Sequence, residues 1–341
     1  MPIEHRLTQL LAAGLSGLLL AACQPSQTPG ADGDEEGPPA APPSPSSSAA
    51  SNEAAPQPEA GDRTVATRPG DAAPAVWTLS DEDTTVHLFG TVHILKPETE
   101  WRTPGFNEIF EAADAVYFEA DVSSPQAAQA MAGLVPELGI YSDGTRLSDV
   151  LDAEEEREVE EAMNHIGVPM SAIEPMKPWL ATVQLSVQAL VKQGYKPDSG
   201  VETVLTEAAR DSGKPLRFLE TGEEQLRFFA DMPQEDQVEF LVASAVQIEE
   251  NPQLLDTLVA EWAEGDVEAI GQIMSEPEVM GSEHVYDVLI VERNEDWTDQ
   301  IETLMEDEAG TFLIAVGAGH LAGEDSVVEM LRARGYEVEG P

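Results

Sequence analysis

Two segments far apart in the chain share one construction: an apolar run of strand length, a turn of small residues, and a histidine. One is 86–93, which reads Val-His-Leu-Phe-Gly-Thr-Val-His, and the other is 312–320, which reads Phe-Leu-Ile-Ala-Val-Gly-Ala-Gly-His. Each ends in Gly-x-x-His, from Gly90 to His93 and from Gly317 to His320. A buried strand that ends this way presents an imidazole at the rim of a sheet, where ligands bind in open α/β sheets. The pattern favours one site built from both histidines.

The first 23 residues have the features of a targeting signal. Arg6 supplies a positive charge, and the apolar run 10–20 is shorter than the roughly 20 residues that a bilayer span needs. The signal ends in Leu-Ala-Ala-Cys, and Cys23 is the only cysteine of the chain. This ending resembles a bacterial lipobox and predicts acylation of Cys23, whereas an ordinary signal peptide with an incidental cysteine is the alternative. Gln24 resembles the sorting residue of outer-membrane lipoproteins that face the periplasm.

Composition divides the remainder in two. Residues 24–75 are rich in Pro, Ala, Ser, Gly and Glu, and they predict a disordered tether because such a segment buries too little apolar surface to fold. Residues 76–341 are long enough for one domain with its own core. The single cysteine excludes intramolecular disulfides and thiolate-rich metal sites.

The charge balance limits the partners. The chain has 65 acidic and 17 basic side chains, a formal net charge of −48. Such a surface repels nucleic acid and anionic membranes, so we expect no nucleic-acid partner. Calcium or cationic partners would be one interpretation. A solvated acidic shell is favoured, because the sequence has no Asp-x-Asp-x-Asp-Gly loop.

Hydrophobic patterning predicts strands at both ends of the folded part and helices between them. The pattern is almost wholly helical from residue 125 to about 305, interrupted by a short strand at 216–219. The other predicted strands are 75–79, 84–89, 115–118, 311–316 and 336–338. The predicted fold class is therefore α/β, with a central mixed sheet built from N- and C-terminal strands and a large helical insertion.

Four chemically capable residues follow predicted strands: His93, Glu119, Glu220 and His320. Two imidazoles and a carboxylate can hold a metal ion and leave positions open for water and substrate. We therefore predict His93, Glu119 and His320 as ligands of a divalent metal. Glu220 would act as general base or would orient a histidine. The alternative for both histidines is a hydrogen-bonded structural role.

Arg293 and Asn294 begin a predicted helix directly after the apolar segment 285–291. Arginine at a site binds a substrate carboxylate or carbonyl, whereas in an acid-rich domain it can equally form a salt bridge. We predict Arg293, Asn294, Gly90 and Gly317 as substrate-binding residues, with Glu119, Glu220 and Arg293 as the catalytic group.

An ordered set of short motifs resembles the TraB/GumN family over about 77–340. The set is Gly90-Thr91-Val92-His93, Phe118-Glu119-Ala120-Asp121, Gly200-Val201-Glu202, Leu219-Glu220-Thr221 with Gln225-Leu226, Arg293-Asn294, and Gly317-Ala318-Gly319-His320 followed by Gly335-Tyr336. The family includes Tiki-type metalloproteases of animals, proteins linked to pheromone shutdown and many bacterial lipoproteins. Its fold is similar to that of haem-binding ChaN-like proteins and erythromycin esterases.

The resemblance implies that His93, Glu119 and His320 are the family's two Gly-x-x-His histidines and their acidic partner. In the Tiki branch it also implies metal-dependent peptide hydrolysis, with manganese or cobalt as the metal. Glu202 departs from the family pattern, in which an aspartate is expected.

Together these features predict a lipid-anchored, metal-dependent hydrolase of a peptide or amide in the periplasm, with manganese or cobalt, or else zinc, as the ion. One alternative is a protein that binds a peptide or small molecule without turnover. Another is a haem-binding protein in which the same histidines ligate iron. The sequence leaves open the oligomeric state and whether the two histidines meet.

Overall fold

The computed structural model describes residues 73–121, 124–274 and 280–341. The predicted signal at 1–23, its Cys23, and nearly all of the predicted tether at 24–75 lie outside the described residues. Within the described ranges, no helix is long and apolar enough to cross a bilayer.

A six-stranded mixed sheet forms the centre of the described part. The strands are β1 (Val76–Ser80), β2 (Thr84–Thr91), β3 (Ala115–Ala120), β4 (Leu216–Glu220), β5 (Gly310–Gly317) and β6 (Val338–Glu339). Their order across the sheet is β4-β3-β5-β2-β1-β6. The first four in this order are parallel, and β1 runs antiparallel to both β2 and β6. The predicted α/β class, with a mixed sheet drawn from both ends of the chain, is confirmed.

Both faces of this sheet are covered. Side chains alternate between faces along a strand, and in β5 Leu313 and Ala315 join one apolar cluster while Phe312 and Ile314 join another. From Phe312 onward every residue of β5 is buried. This explains why β5 reads as a continuous apolar run, as parallel strands between two helical layers do.

Helices fill the predicted insertion. The first, α1 (Pro104–Ala112), joins β2 to β3. Those between β3 and β4 are α2 (Pro125–Gly139), α3 (Ala153–Ile166), α4 (Pro178–Lys192) and α5 (Val201–Ser212). Those between β4 and β5 are α6 (Gly222–Ala230), α7 (Gln234–Glu250), α8 (Leu254–Glu264), α9 (Val267–Met274), α10 (Glu283–Tyr286) and α11 (Glu292–Asp307), and α12 (Val327–Ala333) follows β5. Three of them, α3, α4 and α7, build a separate apolar cluster away from the sheet.

One turn of this helical part is wider than predicted. Residues Asp287–Val291 form a π-helix between α10 and α11 instead of an ordinary helical turn. Such wide turns occur often at functional sites. This one leads directly into Arg293 and Asn294, in the first turn of α11.

The register of the parallel strands brings their carboxyl ends to one edge. Thr91 lies opposite Gly317 in the β2–β5 pair, and Ala120 lies opposite Glu220 in the β3–β4 pair. The residues that follow β2 and β5, and those that end β3 and β4, therefore share the carboxyl edge of the sheet. In open α/β sheets this edge is where ligands bind.

Candidate functional site

Gly317 marks the point on which the predicted ligands converge. A Cβ placed on Gly317 would lie 3.1 Å from Glu119 Oε1 and 3.5 Å from both His93 Nε2 and His320 Cδ2. The backbone N–H of Gly317 donates to the same Glu119 oxygen at 2.8 Å. Both histidines therefore lie beside this one glycine, a convergence that the sequence left open. A glycine at 317 leaves the space between them open.

His93 is held from one side of its ring. Its Nδ1 lies 2.5 Å from Glu202 Oε1, and the hydroxyl of Thr91 donates to that same carboxylate oxygen. Its Nε2 faces Glu119 Oε1 at 3.8 Å, beyond hydrogen-bond range. Among the described residues this buried nitrogen has no hydrogen-bond partner. An unpartnered buried polar atom requires an explanation, such as an ion or a water at that place.

His320 is held in the same way by a neutral partner. Its Nδ1 lies 2.7 Å from Asn294 Oδ1, and the amide nitrogen of Asn294 donates to the carbonyl of Asp325 at 2.7 Å. Since the amide nitrogen is used there, its oxygen is the acceptor and Nδ1 of His320 carries the proton. The lone pair is then on Nε2, which accepts from Nη1 of Arg293 at 3.1 Å.

Arg293 lies at the centre of the cluster, and its side chain is buried. Its Nε and Nη2 donate to Glu220 at 2.8 and 2.9 Å, and Nη2 also donates to Glu119 Oε2 at 2.7 Å. Its Nη1 donates to the carbonyl of Leu289 at 3.2 Å as well as to the imidazole of His320. Of the two predicted roles, the salt bridge is the one present. All three nitrogens are engaged, so binding of substrate by Arg293 stays a prediction.

Glu220 supports Arg293. Both of its oxygens accept from that guanidinium, and Oε1 also accepts from the indole N–H of Trp297 at 2.8 Å. Glu220 therefore binds Arg293 and Trp297 rather than a histidine, and both of its predicted roles, as general base or as the residue that orients a histidine, stay predictions. Gln225 donates to Glu119 Oε2 at 3.1 Å.

Sequence reasoning missed several of these supports. Glu202, Gln225 and Thr91 each stand in a short motif that does not reveal which side chain they bind. Trp297 lies four residues after Arg293 on α11, a spacing that places two side chains on one helix face. That spacing was the signal that would have paired Trp297 with the arginine.

The two histidines have opposite electrostatic surroundings. Burial alone would lower the pKa of His93, but the carboxylates of Glu202 and Glu119 outweigh it and raise that pKa to about 9. Burial and the nearby charge of Arg293 together lower the pKa of His320 to about 3. At neutral pH and without a bound ion, His93 is therefore protonated and His320 is neutral.

The two carboxyl groups also differ. Burial would raise the pKa of Glu119, but Arg293 and the two histidines outweigh it and lower that pKa to about 2. Burial raises the pKa of Glu220, although Arg293 opposes this. Glu119 is therefore the more firmly ionised of the two and the better source of negative charge for a cation.

The donor set suits a divalent metal. Two imidazole Nε2 atoms and one carboxylate are ligands of the type that Zn²⁺, Mn²⁺ and Co²⁺ accept. Each histidine directs its other nitrogen at a side-chain oxygen, of Glu202 or Asn294, as metal-ligating histidines do. His93 Nε2 and Glu119 Oε1 lie 3.8 Å apart, and the two atoms could serve as ligands of one ion.

One contact competes with such an ion. His320 Nε2, the atom that would be the third ligand, accepts from Arg293. Within 73–121, 124–274 and 280–341, no three His, Cys, Asp or Glu side chains are spaced as a complete metal-binding group. The metal prediction therefore remains a prediction, with donors that fit and one of them engaged elsewhere.

Gly90 and Asn294 have packing and hydrogen-bonding roles in the site. The carbonyl of Gly90 accepts from the indole of Trp262 at 2.7 Å, and a Cβ at residue 90 would come within 3.1 Å of the Ala318 backbone. Asn294 is fully buried between His320 and Asp325. Direct contact of Gly90, Asn294 or Gly317 with a substrate stays a prediction.

Comparison with known proteins gives the family. A sequence model of the TraB/PrgY/gumN family matches residues 75–340. The uncharacterized protein YbaP of Escherichia coli (strain K12) is 24% identical over 246 residues, which covers 72% of this chain and 87% of YbaP. Metalloprotease TIKI1 of Danio rerio is 44% identical over 52 residues, which covers 15% of this chain and 10% of TIKI1. No solved structure matches. Since the family model matches most of this chain, the chain belongs to the TraB/PrgY/gumN family.

Proposed function

We propose that the chain is a divalent-metal-dependent hydrolase of peptide or similar amide bonds. The observation that carries the proposal is the convergence of His93, Glu119 and His320 around one point beside Gly317. The unpartnered Nε2 of His93, buried among the described residues, supports it. The 52-residue likeness to Metalloprotease TIKI1 supports the reaction class.

His93, Glu119 and His320 would hold the ion, which we propose to be Mn²⁺ or Co²⁺, with Zn²⁺ as the third candidate. An ion held there would act as a Lewis acid and lower the pKa of bound water toward neutrality. Glu119 supplies the negative charge, and the N–H of Gly317 fixes its Oε1 at 2.8 Å. His320 would contribute the Nε2 lone pair that now accepts from Arg293.

Arg293 places a fixed positive charge at the edge of this site. Two hydrogen bonds to Glu220 and one to the Leu289 carbonyl hold the guanidinium in place. If a bound ion took the Nε2 lone pair of His320, the Nη1 proton that now bonds to it would be free to donate to the carbonyl oxygen of a substrate. A pre-oriented donor in a buried site stabilises the charge that develops on such an oxygen.

We further propose that Cys23 is acylated and that the lipid holds the protein at the outer membrane, facing the periplasm. The Leu-Ala-Ala-Cys ending and the following Gln24 support this location. Residues 24–75 would then separate the hydrolase from the membrane surface. Incorporation of labelled palmitate that disappears in Cys23→Ser would be the expected result, and equal labelling of both would contradict it.

The hydrolase is tested by incubating the full chain with a defined peptide mixture and Mn²⁺ or Co²⁺, then identifying products by mass spectrometry. We expect cleavage that stops with chelator and falls by at least about 10-fold in Glu119→Gln, since loss of a ligand should cost at least as much as loss of a residue that supports one. Glu207→Gln, a matched change on the exposed face of α5, should cleave like the wild type. Cleavage unaffected by chelator or by Glu119→Gln would overturn the proposal.

Two other results would also overturn it. A peptide that binds but stays intact after long incubation would identify a binding protein without turnover. A Soret band on titration with haemin, lost in His93→Ala, would identify haem capture.

A further inference from the structure

We propose that Glu202 is the positioning residue of His93: it holds the imidazole through Nδ1 so that Nε2 faces Glu119 and the space beside Gly317. The inference deepens the proposed function and rests on it for the role of His93 as a metal ligand. It assigns a role to the one acidic residue that departs from the expected family pattern.

Direct contacts carry the first part of the argument. Glu202 Oε1 lies 2.5 Å from His93 Nδ1, and the Thr91 hydroxyl donates to the same oxygen. Thr91 ends β2 and lies two residues before His93, so the carboxylate binds both the strand end and the imidazole that follows it. This fixes the ring at its far nitrogen and leaves only Nε2 directed at the site.

The backbone beside Glu202 is docked on the same turn. The N–H of Val201 donates to the carbonyl of Val92 at 3.1 Å. A Cβ on Gly200 would lie 1.9 Å from the His93 carbonyl oxygen, so only glycine permits this approach. The start of α5 is therefore fixed against the turn that carries His93. Glu202, in the first turn of α5, is fixed with it.

The two histidines show what the charge of Glu202 adds. His320 is held at Nδ1 by the neutral amide of Asn294, whereas His93 is held by a carboxylate. A carboxylate behind a ligating histidine sets the tautomer and ring orientation and raises the basicity of the ligating nitrogen, and its loss typically costs 10- to 100-fold in metal affinity. Replacing Glu202 by glutamine keeps the length and removes that charge.

The test uses the full chain and two readouts. The first is proton NMR of the chelator-treated protein, in which the His93 Nδ1–H bonded to Glu202 should give a downfield, slowly exchanging signal. That signal should be lost in Glu202→Ala and kept in Glu207→Gln. Thermal unfolding of each variant establishes that the loss is not global, and Thr91→Val gives a second, milder disturbance of the same carboxylate.

The second readout is Mn²⁺ binding by calorimetry. Glu202→Gln should bind about 10- to 100-fold more weakly than the wild type. Glu202→Asp should recover part of that loss because it keeps the charge on a shorter side chain, and Glu207→Gln should bind within about twofold of the wild type.

The two proposals fail differently. A wild type that binds no divalent ion overturns the proposed function, and the NMR signal still decides whether Glu202 holds His93. A wild type that binds Mn²⁺, with a folded Glu202→Gln that binds equally well and an Nδ1 signal unchanged in Glu202→Ala, overturns the role of Glu202 alone.

Discussion

Arg293→Met is the substitution that most directly probes the buried charge cluster. Methionine keeps much of the side-chain length but removes every donor. The carboxylates of Glu119 and Glu220 then remain buried without the guanidinium that now binds both. We expect a large loss of stability, because an unpaired buried charge costs far more than a broken surface pair.

Two arguments set the magnitude. Breaking a buried ion pair by removing one partner costs about 3–5 kcal/mol. Independently, the pKa of Glu119 is lowered from 4.5 to about 2, chiefly by Arg293 acting against burial. The net shift corresponds to roughly 3.5 kcal/mol at about 1.4 kcal/mol per unit, and Arg293 is the largest of the several groups that lower this pKa. For a domain of this size, at about 2 °C per kcal/mol, the unfolding temperature should fall by roughly 6–10 °C.

The assay is urea unfolding of wild type and variants at neutral pH. Arg227→Met is the matched control, because Arg227 pairs with Glu223 on the exposed surface of α6. It should unfold like the wild type, since exposed pairs contribute little. The double variant Arg293→Met/Glu220→Met should regain part of the lost stability, because it removes one of the two stranded carboxylates.

An Arg293→Met variant whose free energy of unfolding lies within about 1 kcal/mol of the wild-type value would refute the reasoning. It would mean that the carboxylates find other partners or water, and that Arg293 does not organise the cluster.

Three further predictions concern the same edge of the sheet. Gly317→Ala adds a methyl 3.1 Å from Glu119 Oε1, and calorimetry should show Mn²⁺ binding at least about 10-fold weaker. The control Gly133→Ala, with no described atom within 4 Å of the new methyl, should bind Mn²⁺ like the wild type. Equal Mn²⁺ affinities of Gly317→Ala and the wild type would contradict the convergence of the three ligands beside Gly317. Gly200→Ala places its Cβ 1.9 Å from the His93 carbonyl oxygen and should abolish the folded state or lower the melting temperature sharply. A melting temperature equal to that of the wild type would refute the close packing of the start of α5 on the turn that carries His93. The pKa of His93 is raised from 6.5 to about 9, so protonated His93 stabilises the folded state of the chelator-treated chain. This contribution to the free energy of unfolding is complete below pH 6.5 and is lost as the pH rises to 9. Urea unfolding at both pH values should show this loss in the wild type and not in His93→Gln, and the same loss in both would exclude His93 as its source.

The position of the site could be predicted because strand ends are local features of sequence. Apolar runs that stop at Gly90 and Gly317 identify buried strands, and parallel strands end at one edge. Glu119 and Glu220 follow from the same rule. The convergence of His93 with a histidine over 200 positions later needed only that β2 and β5 pair, which they do in register.

The partners of these residues could not be predicted, because they depend on how separate elements pack. The contact between Glu202 and Thr91 joins residues 111 positions apart and depends on where α5 begins against the turn after β2. The engagement of Arg293 by two carboxylates joins α11 to the ends of β3 and β4, and Leu289 in the preceding π-helix also accepts from the guanidinium. Hydrophobic patterning over residues 285–291 predicts an ordinary helix instead.

The most direct test of the metal proposal is the metal content of the full chain, purified without chelator and then equilibrated with Mn²⁺ or Co²⁺, beside His93→Ala/His320→Ala. The account predicts about one equivalent of metal in the wild type, by analogy with other two-histidine-and-carboxylate sites, and none retained by the folded double variant. A wild type without metal, or a double variant that retains as much, would contradict it.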